Sequence, residues 1–547
     1  MNFRLDDIRT EPRNWVQTEV KCEGPGIAEF SDPEGILQGY FKIHFDEFGR
    51  RSVECEARSL SAPPEYDGDI LTFLFGEKAP NETTWFIGGR TNPCTKVKVE
   101  THEGTFVATD NVDVSGFTSG KTNKVSFSTF GSSLEVSNSR EPKYFAIPLV
   151  NFLWEFSHRL LIDHPLRIHP TPRIPDTIPE NMRLAAALRA NEKNRVIGFQ
   201  LDGALCFIEP LPDYEARKSS LMQGEQRRVT AVLVGELHGK PASSWEELRI
   251  WGPFEALPAL GFAAGSEVSS PWIEVRDEDG HLIRRIFAST ASPGFAKGTA
   301  LLTSLSNGPD SGIGAFLTSY LSLPKEKRHQ LKIVMDHARL GTVHQPRVQD
   351  ALDHLVRALE CLCKEHGVSR QDLLKSLGGT VRNSVDKLLR ATNAELKLLQ
   401  KDCSAAQRWS EARYIETIRN RVLNAGAKEA KFGLAVAELL KKFRLPDADL
   451  IDKFYQRNPR KDGKDWPSVL TDYRGATIHE GAMDFARKHD IADVFRISRH
   501  LQDLLARLTL KEMGYQGSYQ PAVSSYRQPS SLDWVTIDTD PSLLGYK

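Results

Sequence analysis

The chain is poor in the features that usually announce a protein class. Its 547 residues include only seven cysteines, scattered and odd in number: Cys22, Cys55, Cys94, Cys206, Cys361, Cys363 and Cys403. That excludes a disulfide framework and points to a reducing, cytoplasmic setting. No apolar run approaches the ~18 residues a membrane-spanning helix needs. The opening Met-Asn-Phe-Arg-Leu-Asp-Asp also lacks the charged-then-apolar pattern of a signal peptide. A cytoplasmic chain with no membrane partner is therefore expected. His-Glu-x-x-His, paired Cys-x-x-Cys and a nucleophile elbow are all missing, which closes the motif-based routes to zinc and serine-hydrolase chemistry. Net charge is missing too, with 71 Lys and Arg against 72 Asp and Glu.

That balance hides an asymmetry. Residues 326–514 carry 35 Lys and Arg against 26 Asp and Glu, a net of +9, and the remainder carries a net of −10. A basic region beside an acidic one fits a chain in which one part binds nucleic acid and another binds something else.

The periodicity divides the chain in the same way. Gly39-Tyr-Phe-Lys-Ile-His-Phe, Thr95-Lys-Val-Lys-Val-Glu and Lys124-Val-Ser-Phe-Ser-Thr-Phe alternate like strands between Gly, Asn and Pro turns. We expect an α+β multidomain protein, with a β-rich, sandwich-like N-terminal region ahead of an all-α bundle. The expected divisions are a β-rich domain over 1–160, a Pro-rich linker and short helix over 161–192, a second β-rich subdomain over 193–310, a helical bundle over 311–514 and a Ser/Tyr/Pro-rich tail over 515–547. The clearest helix spans about 348–365, with Leu352, Leu355, Val356, Leu359 and Leu362 on one stripe and Gly367 as its stop. Ser369-Arg-Gln-Asp372 reads as a capping box, and Val381, Val385, Leu388, Leu389, Leu396 and Leu399 mark a long third helix.

Two chemical signals fail on geometry. Gly116-Phe-Thr-Ser-Gly120-Lys121-Thr122 has three residues between its glycines where a phosphate-binding loop needs four. A strand-like run follows it where a helix is required, so it reads as a hairpin turn. His354, Cys361, Cys363 and His366 could suggest zinc, but 363 leaves the helix face that 354 and 361 share. Buried thiols and a satisfied imidazole are the better reading.

An Arg followed by four to six residues and then His is a phosphodiester-handling pattern, because a fixed cation can hold phosphate while an imidazole moves protons. The chain has five such pairs: Arg159/His164, Arg276/His281, Arg339/His344, Arg347/His354 and Arg474/His479. Arg276-Asp-Glu-Asp-Gly-His281 lies between two strand-like runs and reads as a turn, the first pair runs into prolines, and Gly341 interrupts the third. Arg347/His354 opens a helix after Pro346 and is the main competitor. Arg474/His479 stands on a helix capped near Asp465, with Pro467 in its first turn and Val469, Leu470 and Tyr473 behind it.

The helical region resembles the HEPN superfamily of ribonuclease domains, specifically the ApeA-like HEPN proteins of bacterial anti-phage defence. Arg474-Gly-Ala-Thr-Ile-His479, the early segment Arg357-Ala-Leu-Glu360-Cys-Leu, and the β-rich region ahead of the bundle carry the likeness. It implies a metal-independent endoribonuclease of abortive-infection defence, with no cofactor, in which two bundles of a homodimer or higher homo-oligomer share one cleft. Arg474 would hold the phosphate and His479 would act as general acid or base. Asp472, Tyr473, Gly475 and Glu480 would support them, and the basic connector Arg457, Arg460, Lys461 and Lys464 would bind RNA, with tRNA among the candidates. The β region would sense a trigger, such as a phage protein, or restrain the nuclease. The family usually has a polar residue, often Asn, directly after the Arg, whereas this chain has Gly475. Two alternatives stay open: a non-catalytic HEPN module for dimerisation or RNA binding, and a β-sandwich ligand-binding protein with the bundle as scaffold.

Overall fold

Strict two-residue alternation over long stretches builds the first unit. In the computed structural model the described residues run from 11 to 519, apart from short loops and the segments 76–84, 87–93, 157–163, 171–194, 240–253, 289–311, 446–465 and 480–490. They form two compact units, one of Met1–His344 with Glu512–Pro521 and one centred on Gln345–Lys511.

The first unit holds strands β1 (Glu19–Ser31), β2 (Glu34–Asp46), β3 (Arg51–Ser61), β4 (Trp85–Phe86), β5 (Cys94–Glu100), β6 (Thr105–Thr118), β7 (Lys124–Glu135), β8 (Tyr144–Val150), β9 (Ile197–Leu201), β10 (Ala204–Pro210), β11 (Val229–Glu236), β12 (Trp272–Arg276) and β13 (Leu282–Phe287). Its helices are α1 (Ile70–Phe75), α2 (Tyr214–Met222), α3 (Ala256–Ala264), α4 (Gly312–Leu321) and α5 (Lys325–Thr342).

All thirteen strands belong to one sheet, in the order β4-β6-β5-β1-β2-β3-β7-β13-β12-β8-β11-β10-β9. A further pairing of β6 with β7 closes β1, β2, β3, β7, β6 and β5 into an antiparallel ring, so the expected sandwich is here a barrel that opens into a second sheet. The junction is β7 itself. Its first half, Lys124–Phe127, pairs with β3, and its second half, Ser132–Glu135, pairs with β13. Phe41, Val97, Phe106, Val125 and Leu134 fill the interior with no exposed surface. Truncating either buried Phe to Ala costs ~3–5 kcal/mol. Gly24 allows the closest strand approach, since a Cβ there would lie 1.8 Å from the Glu100 carbonyl oxygen.

The continuous sheet redraws the expected divisions. β8, read with the first β domain, lies between β12 and β11 of the second. Residues 164–170, read as linker, are largely buried, with Arg167 and Ile168 fully so. Helices α4 and α5, expected to open the bundle, belong to the first unit. So does the start of the tail, where Tyr515 stands edge-on to Phe316 at 6.4 Å. The Gly116–Thr122 motif falls in the β6–β7 hairpin, its Gly116 and Phe117 paired with Ser126 and Val125. The expected short helix over 179–190 lies outside the described residues.

The second unit is helical: α6 (Val348–Glu365), α7 (Gly379–Ala405), α8 (Trp409–Leu423), α9 (Phe432–Lys442), α10 (Trp466–His479) and α11 (Ile491–Glu512). The stripe read on α6 is buried from Leu352 to Cys363, and Gly367 ends the helix at a φ of +69°, where L side chains are strained. Ser369–Asp372 does not cap a helix; Arg370–Asp372 forms β14, paired with β15 (Ala427–Glu429). α7 and α8 make a hairpin that buries little beyond Cys403 and Ala412. Leu388, Trp409 and Tyr414 are each more than 60% exposed there. No helix among the described residues is long and apolar enough to cross a membrane.

Candidate active site

The Arg474 region is positioned by the packing of α10 on α6 and α9. Leu470 and Tyr473, three residues apart, turn inward and are almost fully buried. The Gly433 N–H donates to Thr471 Oγ1 at 3.1 Å, which ties the start of α9 to α10. With that face fixed inward, Arg474 falls on the adjoining face, where its Nε donates to Glu360 Oε1 of α6 at 2.9 Å. The two side chains are 36% and 26% exposed, so the pair sits at the rim of the packed helices, half-open to solvent. One turn earlier on α6, Arg357 pairs with Asp353 at 2.8 Å.

A guanidinium held through Nε has its plane and direction set, which is what phosphate recognition by paired donors requires. Positions 474 and 479 are five apart, hence ~7.5 Å along the axis and ~140° round it on an ideal helix. They flank α10 and do not stack on one face. His479 closes the helix, but its side chain, together with Glu480, Arg457, Arg460, Lys461 and Lys464, lies outside the described residues.

Among the supporting residues, Asp472 is partly exposed beside Arg474. Tyr473 is 2% exposed, so its ring packs the core and is a structural group, not a surface one. A Cβ on Gly475 would meet nothing within 4 Å, so the position faces open space.

The competing pairs resolve differently. Arg339 is buried and pairs with Glu267 at 3.2 Å. Arg276 pairs with buried Glu274, stacks over Trp15 at 4.6 Å and closes the β12–β13 turn through Gly280 O at 2.7 Å. Arg159, His344 and Arg347 lie outside the described residues. At the rejected zinc cluster, burial pushes the Cys363 thiol up to about 12, and His366 packs edge-on to Phe443 at 4.8 Å. Among the described residues those four side chains do not gather as a metal site.

Sequence reasoning did not single out a buried ionic network in the first unit, formed by Arg167, Glu209 and His169. Its only signal was a carboxylate inside an otherwise apolar strand, Leu205-Cys-Phe-Ile-Glu-Pro. Compared with protein-family models, curated proteins and solved structures, the chain matches none.

Proposed function

We propose that the second unit is an endoribonuclease of the HEPN kind that needs no metal, acting in bacterial anti-phage defence as a homodimer or higher homo-oligomer. The observation that carries this reading is the anchoring of Arg474 by Glu360 at a half-exposed rim of a basic helical unit. A guanidinium oriented there suits a phosphate in solution better than a role in the core.

In this reading the ribose 2′-oxygen attacks the adjacent phosphorus as a general base takes its proton, and the P–O5′ bond breaks as a general acid protonates the leaving 5′-oxygen. The products are a 2′,3′-cyclic phosphate and a 5′-hydroxyl. Arg474 neutralises charge on the phosphoryl oxygens, and His479 supplies the proton transfers near neutral pH. The dependence on a 2′-hydroxyl selects RNA. Because positions 474 and 479 flank their helix, pairing two copies across a two-fold axis brings complementary groups to one cleft. The first unit would sense a phage protein or restrain the nuclease.

A second reading, a non-catalytic RNA-binding or dimerisation module, is favoured by Gly475, which leaves nothing one turn before His479 to orient its ring. The test is RNA cleavage by purified protein in EDTA, with cyclic phosphate ends expected and with Arg474→Ala and His479→Ala each abolishing it. Cleavage that survives both substitutions refutes the assignment, and no cleavage by the native protein favours the second reading.

A further inference from the structure

The most unusual polar group in the first unit is His169. Its backbone N–H and its Nδ1 both bond Glu209 Oε1, at 2.8 and 3.0 Å. Glu209 also accepts from the Ile168 N–H at 2.8 Å and from Nε and Nη2 of Arg167 at 3.1 and 3.2 Å. Arg167 and Glu209 have no exposed surface. Burial alone would raise the Glu209 pKa, but the His169 bond and the charge and bonds of Arg167 hold it below the usual carboxylate value. The carboxylate therefore already has its counter-ion in Arg167. The Nδ1 proton of His169 is committed to it, which leaves a lone pair on the opposite ring nitrogen. That nitrogen, Nε2, is buried and has no hydrogen-bond partner, although the side chain is only 5% exposed. An unanswered acceptor in such a site costs ~1–3 kcal/mol unless something answers it.

His169 lines a cavity of about 710 Å³, within the range of small-molecule sites. The other walls divide by chemistry. Phe156 and Tyr214, edge to face at 5.3 Å, and the prolines Pro210 and Pro212 give flat apolar surface. The Tyr214 hydroxyl is used up on the backbone of Trp154, donating to its O at 2.7 Å and accepting from its N at 2.8 Å, so Tyr214 is wall and not ligand. The first turn of α2 forms another side, where helical N–H groups lack intrahelical acceptors and Asp213 makes no capping bond. Arg195 and Lys218 stand with it. The two carboxylates nearby do not cancel this: Asp213 is held by Arg217 at 2.8 Å, and Glu215 is 82% exposed on its side chain.

We propose that this cavity is a mononucleotide site: the phosphate at the α2 N-terminus with Arg195 and Lys218, and a planar base between the apolar walls, donating an exocyclic N–H to His169 Nε2. A helix N-terminus with two cations is suited to a phosphate dianion, and the buried acceptor calls for a donor on the other end of the same molecule. A metal fits less well, because among the described residues no further ligands gather with His169. The site is independent of the nuclease reading and gives the first unit a chemical input of its own.

The test is calorimetric titration of the full chain with adenosine 5′-monophosphate, adenosine and inorganic phosphate in turn. The monophosphate is expected to bind at least tenfold tighter than either fragment. His169→Asn places an amide where Nδ1 now bonds Glu209 but removes Nε2. It is expected to weaken the monophosphate at least tenfold while leaving the thermal midpoint and phosphate binding unchanged. Lys218→Glu, on the exposed face of α2, should weaken the monophosphate and phosphate together. Adenosine binding as tightly as its monophosphate overturns the phosphate subsite, and phosphate binding as tightly as the monophosphate overturns the base subsite. No binding by any of the three, or binding that ignores both substitutions, overturns the proposal.

Discussion

Replacing Glu360 with Ala separates a positioning role for this residue from a merely structural one. The Arg474–Glu360 pair is a single ion pair with both side chains more than a quarter exposed, so solvent screening discounts it heavily. On that basis its loss costs ~0.5 kcal/mol, a fall in thermal midpoint of ~1–2 °C for a unit of this size. The catalytic consequence is far larger if Arg474 binds the reacting phosphate. Freed from its Nε anchor, the guanidinium gains play on the order of 1 Å, which is worth ~10–100-fold in rate when geometry is limiting. The assay is single-turnover cleavage of a labelled RNA in EDTA, scored by cyclic phosphate product, beside thermal unfolding of the same samples. Glu438→Ala is the control. It removes an equally ordinary pair, with Lys441 at 2.9 Å on α9, and should change neither readout. Cleavage within twofold of the native rate would refute the positioning role. A drop of ~8 °C or more alongside lost cleavage would show that Glu360 holds the fold and not the site.

Three further outcomes follow from the same geometry. Gly475→Asn should be accepted without strain, because nothing lies within 4 Å of the new Cβ, and should raise cleavage severalfold if the family's polar residue orients His479; an unchanged rate sinks that idea. Glu274 lies fully buried between Arg276 and Arg285. Burial would raise its pKa, but those two arginines hold it down, so its stabilisation is full above the unfolded carboxylate value near ~4.3 and is lost as pH falls through the lower folded value. Glu274→Ala should cost ~3–5 kcal/mol by stranding two buried cations, and denaturant titrations showing less than ~1 kcal/mol would contradict this. His500 on α11 is the opposite kind of group, a base whose protonation is suppressed. Burial first, then Arg507 and Arg499, drive its pKa down to about 3. The unfolded chain takes a proton near ~6.5 that the folded chain refuses, so stability is full above that pH and falls by over ~1 kcal/mol per unit toward 3. His500→Leu should flatten that slope in urea melts, and an unaltered slope would assign it elsewhere.

Much of the fold was legible because period reports burial. β2 alternates in sequence and in the structure, and the α6 stripe is the buried stripe. What period cannot report is the identity of the covering surface. Val381, Leu388 and Leu399 keep helical spacing on α7, yet each is more than half exposed. Ring closure was equally hidden, since it depends on partners far apart in sequence, as Val20 with Phe45 and Phe106 with Leu134 illustrate only in part. At the candidate site, spacing found Arg474, but its anchor on α6 lies 114 residues away and only the family likeness drew attention to that segment. The His169–Glu209 network escaped because its prolines suggested a linker. A Pro-rich stretch lacks backbone donors, not the ability to be buried, and the Ile168 and His169 N–H groups reach a carboxylate instead of a sheet.

The divided loyalty of β7 sets a timetable for the nascent chain. The barrel strands are all synthesised once Glu135 is made, yet Arg284 of β13, which pairs with that same residue, comes 149 residues later. At ~5–20 residues per second of translation, the second half of β7 waits ~7–30 s with an open edge. A ribosome-bound chain halted in that interval offers its unpaired backbone to any passing strand, so a chaperone that shields β edges should matter most there.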